Sequence, residues 1–314
     1  MTLAATSTTQ CHSAHARALT TWLSITEPGD MLAGHLREEL GAERTIDMIA
    51  EHVPVSAWET ALGYQPEQLQ NSLEYWQHKY DYDHVSRIID QSQSLGFELI
   101  FPGHPHWPSS LNDLGPATPA GLWARGDASI LESLQHSATI AGARAASSYG
   151  TETTAEIVKA LANDSAAIVT GGSFGIEAQA IRTAICTRAN TVTISAGGLD
   201  RSYPAAHEGL YENAAEHGVI LSESPVGTTP HRWRFLQRNR LLAALSTGTI
   251  IPEAGQRSGA INTAAHASIL GRALGAVPGP ITSATSSGCH RIITEYSATL
   301  IAEPKEAVAL IQKN

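Results

Sequence analysis

The sequence predicts an α/β protein: a doubly wound, mostly parallel sheet preceded by a small all-helical region. Three observations carry that prediction. After residue 137 short apolar runs recur with amphipathic helices between them, at 138–143 (ATIAGA), 166–172 (AAIVTGG), 191–198 (TVTISAGG), 219–224 (VILSES), 247–255 (TGTIIPEAG) and 275–279 (GAVPG). Runs this short and this apolar suit strands buried on both faces, which parallel sheets require. Glycines follow most of the runs, at Gly142, Gly171-Gly172, Gly197-Gly198 and Gly255, where a βα turn and a helix start are expected.

The first 80 residues read differently. HARALTTWLSI, AGHLREELGAERTIDMIAEH and SAWETALG carry apolar residues at three- and four-residue spacing, broken at Gly29, Gly41, Pro54 and Gly63. No side-chain constellation there points to chemistry. We therefore expect a helical domain over 1–80, serving interaction or stability, and a second domain over 81–314. Another helix is expected at 83–95, a strand at 97–101 and a short strand and turn at 122–127. His104, His106 and Trp107 lie among prolines and read as a rigid packed loop rather than as ligands. Helices are expected near 151–163, 175–189, 206–217, 235–245 and 259–271.

Composition narrows the function classes. The 314 residues are 42% hydrophobic, enough for a sizeable core, and no apolar run approaches the ~20 residues of a membrane span. The N-terminus lacks the pattern of a signal peptide, and three distant cysteines give neither a disulfide framework nor a zinc site. A cytoplasmic protein is expected. The formal charge of −10 is unevenly spread: residues 1–100 hold 14 acids against 5 Lys/Arg, and residues 101–314 hold 16 against 15. An acidic chain can still bind a polyanion if its cations are gathered in one place.

They are gathered at 228–246, TTPHRWRFLQRNRLLAALS. Arg232, Arg234, Arg238 and Arg240 fall within nine residues, interleaved with Trp233, Phe235 and Asn239 and with no acid among them. From Phe235 onward the apolar spacing predicts a helix with one lined face. Cations beside aromatic rings suit a flexible polyanion with stackable groups, such as single-stranded nucleic acid; a solvated helix start pinned to the core is the competing reading. Sheets of this class bind ligands beyond the carboxyl ends of their strands. Those ends carry Arg144, Gly171-Gly172-Ser173, and Arg257-Ser258-Gly259, so backbone N–H groups and helix starts would form a phosphate-binding rim. Arg144 is either a phosphate contact or one half of a buried ion pair. Glu253 reads best as a group that holds an arginine in place. His207, His266 and His290 are scattered and suggest no triad, and neither a P-loop nor a dinucleotide fingerprint is present.

At these residues the sequence resembles the DprA/Smf family of DNA-processing proteins. The likeness runs from about Phe101 to Ile293, through IAGARAASSYG, VTGGSFGIEAQAI, ISAGGLDRSYPAAH, LSESPVGTTP, RFLQRNRLLAALS, EAGQRSGAINTAAHA and VPGPITSATSSGCHRII. The resemblance implies an extended Rossmann-like domain that binds single-stranded DNA without sequence specificity or a nucleotide cofactor. It also implies a homodimer and handover of DNA to the RecA recombinase. The N-terminal helices would correspond to a sterile-alpha-motif-like domain. By position, Arg144 sits where the family has a DNA-contacting arginine, Arg232 and Phe235 where a basic residue and a stacking aromatic are expected, and Arg257 where a basic residue precedes Ser-Gly. Gly171, Gly172 and Ser173 match a backbone cradle.

The departures remove positive charge. Phe174 stands where the family often has Arg, Glu177 where it has Asp, Ile181 where it has His, and Ala143 and Ala145 replace a hydroxyl and a frequent basic residue. A C-terminal winged helix of the kind many relatives carry is not expected from this sequence. The expected function is a binding protein without catalysis. The alternative is a nucleotide-binding or nucleotide-hydrolysing enzyme on the same scaffold, for which Glu253–Thr263 is the nearest candidate loop, although it lacks a catalytic Glu after the glycines. A pure protein-interaction scaffold is the third reading.

Overall fold

In the computed structural model, which describes residues 13–312, the chain folds around one nine-stranded sheet. Six helices come first: α1 (Ala14–Ile25), α2 (Met31–Leu40), α3 (Ala42–Ala50), α4 (Val55–Leu62), α5 (Leu69–Lys79) and α6 (Tyr82–Ser94). The sheet follows as β1 (Glu98–Ile100), β2 (Leu122–Gly126), β3 (Ser137–Ile140), β4 (Ala167–Thr170), β5 (Thr191–Ile194), β6 (Val219–Ser222), β7 (Gly248–Ile251), β8 (Ala273–Ala276) and β9 (Thr299–Leu300). Its connecting helices are α7 (Ser148–Asn163), α8 (Ile176–Thr187), α9 (Glu208–Glu216), α10 (Arg232–Leu245), α11 (Ala260–Ile269), α12 (Ser287–Glu295) and α13 (Pro304–Ile311).

The strand order is β1-β2-β6-β5-β4-β3-β7-β8-β9. Every pairing from β6 to β9 is parallel, while β1 and β2 add an antiparallel edge. From β3 the chain steps outward through β4, β5 and β6, then returns to β7 on the other side of β3. That reversal is a topological switch point, and it opens a crevice above the carboxyl ends of β3 and β7. Strands β3 to β7 are wholly buried, with Ile140 opposite Ile250 and Val169 opposite Val192, which explains why they contain only apolar residues, Gly, Ser and Thr and no charge.

Helices α7, α8 and α13 pack together on one face, and α10 and α11 on the other. The expected single apolar face of α10 is corrected here. From Arg238 to Leu245 every residue is buried, because this half of the helix is enclosed by the sheet, by α11 and by the 3-10 segment Ser109–Ala117. The helix also starts three residues before the expected Phe235.

The N-terminal helices surround Trp22, Trp58 and Trp76, all essentially inaccessible to solvent. Val85, Ile88 and Ile89 of α6 join that cluster, which continues through Leu99 and Trp123 to Ile181 and Ile220 of the sheet region. His104 is buried facing Glu98, at 3.4 Å, and Trp107 Nε1 donates to Asn112, so this segment is a packed loop. Burial lowers the His104 pKa and favours its neutral form.

Helices α5, α12 and α13 and strand β9 are absent from the sequence-based expectation. Only Leu69, Leu73 and Trp76 of α5 are buried, and both residues of β9 are exposed, so neither carries a strong apolar pattern. Helix α13 does carry a start signal, a capping box between Glu303 and Glu306 with Pro304 at its first position. Because Leu242 is fully buried between sheet and helices, Leu242→Ala should lower the unfolding free energy by about 2–5 kcal/mol in a urea titration.

Candidate nucleic-acid interface

The switch-point crevice is a cavity of about 530 Å³. Its walls come from Gly142–Ala145 after β3, Ser173 and Glu177 after β4, the first turns of α10, and Gly255–Ala260 after β7. Nine of the residues expected at a binding rim meet there: Arg144, Ser173, Arg232, Phe235, Arg238, Asn239, Arg257, Ser258 and Gly259. Arg144, Arg232 and Arg257 are exposed, and among the described residues no ion pair joins any of them to a carboxylate. The open alternative for Arg144, a buried ion pair, is thereby removed. Its guanidinium carbon lies 4.7 Å from the centroid of Phe235, a cation–π distance.

Helices α8, α10 and α11 all start at this cavity; α8 and α10 have no side-chain cap, and at α11 the Ser258 hydroxyl accepts from the Ala260 N–H at 3.3 Å. Their N-terminal N–H groups and dipoles add positive potential to that of the three free guanidinium groups. The carboxylate in the wall, Glu177, is buried and already engaged: Oε2 accepts from the Ser173 backbone N–H at 2.8 Å, and Oε1 lies 3.8 Å from Arg238 Nη2. The expected backbone cradle at Ser173 is therefore occupied by the protein's own carboxylate. Leu236, Thr263 and Thr285 also line the cavity and were missed. Leu236 adjoins the Arg-Phe pair on the first turns of α10, whereas Thr285 comes from the loop after β8 and no local signal marks it.

The three residues of the Arg-Asn-Arg motif are corrected from rim contacts to internal clamps. Arg238 is 4% exposed; Nη1 donates to the carbonyls of Gly171 at 2.8 Å and Ile194 at 2.5 Å, tying the ends of β4 and β5 together. Asn239 donates to the Gly259 carbonyl and to Asn262, fixing α10 to the start of α11. Arg240 lies outside the cavity: its guanidinium forms a two-pronged pair with Glu223, at 2.8 and 2.7 Å, and Nε donates to the Ala117 carbonyl. Buried guanidinium groups need such partners. Only Arg238 and Asn239 reach the cavity wall, with their polar atoms mostly committed elsewhere.

Three further expectations move. Arg234 points away from the cavity to Glu27 of the N-terminal region, at 2.7 Å, and to Ser224 Oγ, at 2.9 Å. Trp233 lies 5.0 Å from the Arg234 guanidinium and lines no part of the cavity. Gly171 and Gly172 sit behind the wall; a Cβ on Gly171 would fall 2.0 Å from Arg238 Nη1 and one on Gly172 2.5 Å from Tyr211 Oη. Their smallness admits the clamps rather than a ligand. Glu253 holds no arginine either: it accepts from the Ser147 N–H at 2.8 Å and the Ser147 hydroxyl at 2.6 Å, anchoring the start of α7. Of the histidines, His207 is buried against the Gly172 carbonyl and His290 is bonded to Gly279.

Fold and cavity define a Rossmann-like α/β protein with its candidate ligand site at the switch point. A family model described as DNA recombination-mediator protein A matches residues 98–312, and the chain belongs to that family, the one indicated by its DprA/Smf-like motifs. A DNA processing protein DprA of Mycobacterium tuberculosis is 40% identical over 240 residues, covering 72% of this chain and 61% of that protein. That of Bacillus subtilis is 30% identical over 230 residues, covering 72% and 74%. Thus the chain spans less than two thirds of the mycobacterial relative. Among solved structures, DNA processing protein A of Streptococcus pneumoniae matches with a TM-score of 0.76 at 24% identity, covering 95% of this chain and 97% of that one. The Helicobacter pylori protein, whose structure is described for its single-stranded DNA binding mode, matches with a TM-score of 0.62 at 27% identity, covering 69% and 96%.

The clamp assignment has a measurable consequence. Glu223→Ala strands a buried guanidinium and should cost about 3–5 kcal/mol in urea unfolding. Replacing both partners with apolar residues, Glu223→Leu with Arg240→Met, should cost clearly less.

Proposed function

We propose that this protein binds single-stranded DNA without sequence preference and without catalysing a reaction on it. The observation that carries the reading is the cavity at the switch point, where three arginines without carboxylate partners line the same walls as an aromatic ring. Guanidinium groups and helix starts would hold successive phosphates, and Phe235 would take a base on its face. None of the expected contacts is to a base edge, so sequence would not be read. Support comes from the family membership and from the single-stranded DNA binding attributed to the H. pylori relative.

In this reading residues 81–314 carry the binding surface. The helices of 1–80 brace it through Glu27, which pairs with Arg234 on the first turn of α10. Two such subunits would act as a homodimer in the cytoplasm, protecting incoming DNA during transformation and passing it to the RecA recombinase. Among the described residues no helix is long and apolar enough to cross a membrane. No group of three or more His, Cys, Asp or Glu side chains there could hold a metal ion.

Fluorescence anisotropy with a labelled oligo-dT at two salt concentrations tests the site. Arg144→Ala should weaken binding and reduce the dependence of log K on log salt by about 0.7, one single-strand phosphate contact. Phe235→Ala should cost about 1–3 kcal/mol while leaving that slope nearly unchanged. Wild-type affinity in both variants would remove the cavity from the binding surface.

A further inference from the structure

The aromatic surface at Phe235 extends beyond the cavity wall. Tyr203 packs against Phe235, with ring centroids 5.3 Å apart, and is 44% exposed. The Tyr203 carbonyl accepts from Tyr211 Oη at 3.0 Å, and Tyr211 lies against Gly172. On the other side of Gly172, whose carbonyl bonds His207 Nδ1 at 3.1 Å, the His207 ring carries Phe174 edge-on at 4.5 Å. Phe174 is 46% exposed although His207 beneath it is buried. Phe235 with Tyr203 and Phe174 with His207 are thus two aromatic pairs, joined through Tyr211 and the backbone of Gly172.

Phe174 stands in the loop between β4 and α8, beside the cavity-lining Ser173. Nothing in the fold requires a large apolar ring there. Half its surface faces solvent, and the histidine it covers is already positioned by a hydrogen bond to Gly172. A smaller aliphatic residue would cover His207 equally well. An exposed ring on a buried backing, next in the chain to a residue of the cationic cavity wall, has the properties of a stacking platform.

We propose that Phe174, backed by His207, is a second base-stacking subsite, so that a single strand leaving Phe235 runs along Tyr203 and places a later base on Phe174. The inference rests on the single-stranded DNA reading given above. It assigns the grip at this loop to a π-face, since residues 171–177 carry no positive charge. Binding at this end of the path therefore depends on bases being present and is insensitive to salt, in contrast to the end at Arg144.

The test compares Phe174→Leu, Phe174→Tyr and Phe235→Ala with the wild-type chain by anisotropy. The ligands are a labelled oligo-dT and an abasic deoxyribose-phosphate oligomer of equal length. Phe174→Leu keeps apolar cover over His207 and removes only the π-face. It should weaken oligo-dT binding about fivefold or more, leave abasic binding and the salt slope unchanged, and be rescued by Phe174→Tyr. Unchanged oligo-dT affinity in Phe174→Leu, or an equal loss on the abasic oligomer, overturns the subsite. If Phe235→Ala weakens binding while Phe174→Leu does not, the subsite alone fails. If the wild-type chain retains no oligo-dT, the underlying reading fails and the subsite with it.

Discussion

A single buried guanidinium sets the geometry on which the cavity depends. Arg238 reaches the carboxyl ends of β4 and β5 and binds a carbonyl on each, with Glu177 close by as counter-charge. These are carbonyls at strand ends, where the ladder no longer supplies partners, and a buried carbonyl without one is costly. By satisfying them, Arg238 fixes the first turns of α10 against the sheet. Phe235, on the preceding turn, is then held 5.8 Å from that guanidinium and 4.7 Å from that of Arg144. Gly171 belongs to the same device, because any side chain there would occupy the space of the Arg238 head group.

The arginines of α10 thus divide by a simple rule. Those whose side chains find carboxylates inside the fold, Arg234 with Glu27, Arg238 with Glu177 and Arg240 with Glu223, hold elements together. The one without such a partner, Arg232, faces the cavity with Arg144 and Arg257. The protein can be acidic as a whole and still present a local cationic surface, since its acids neutralise the structural arginines and leave the rim free. The N-terminal helices take part in this division by supplying Glu27, which connects their packing to the orientation of α10.

Much of the fold was legible because buried parallel strands write themselves as short apolar runs, and all six core strands from β3 to β8 lie within or beside the runs expected for them. The elements that escaped detection have weak patterns: α5 dilutes three buried residues among polar ones, and β9 is a two-residue edge. The site was legible at the level of loops. Arg144, Arg232, Phe235 and Arg257, drawn from three separate segments, do converge on one cavity. What the sequence could not disclose is which arginine of 232–240 points where. The segment contains no acid, yet its partners Glu27, Glu177 and Glu223 arrive from distant positions, so pairing is a tertiary fact. For the same reason Glu253 was misread: its ligand, Ser147, lies 106 residues away.

The most direct test of this account is amide hydrogen exchange, read by mass spectrometry, with and without saturating oligo-dT. The account predicts protection concentrated in 142–145, 173–177, 232–236 and 255–260, with α2 to α5 unchanged. Protection confined to the N-terminal helices, or spread over the sheet edge at β1 and β2 while the switch-point segments exchange as before, would contradict it.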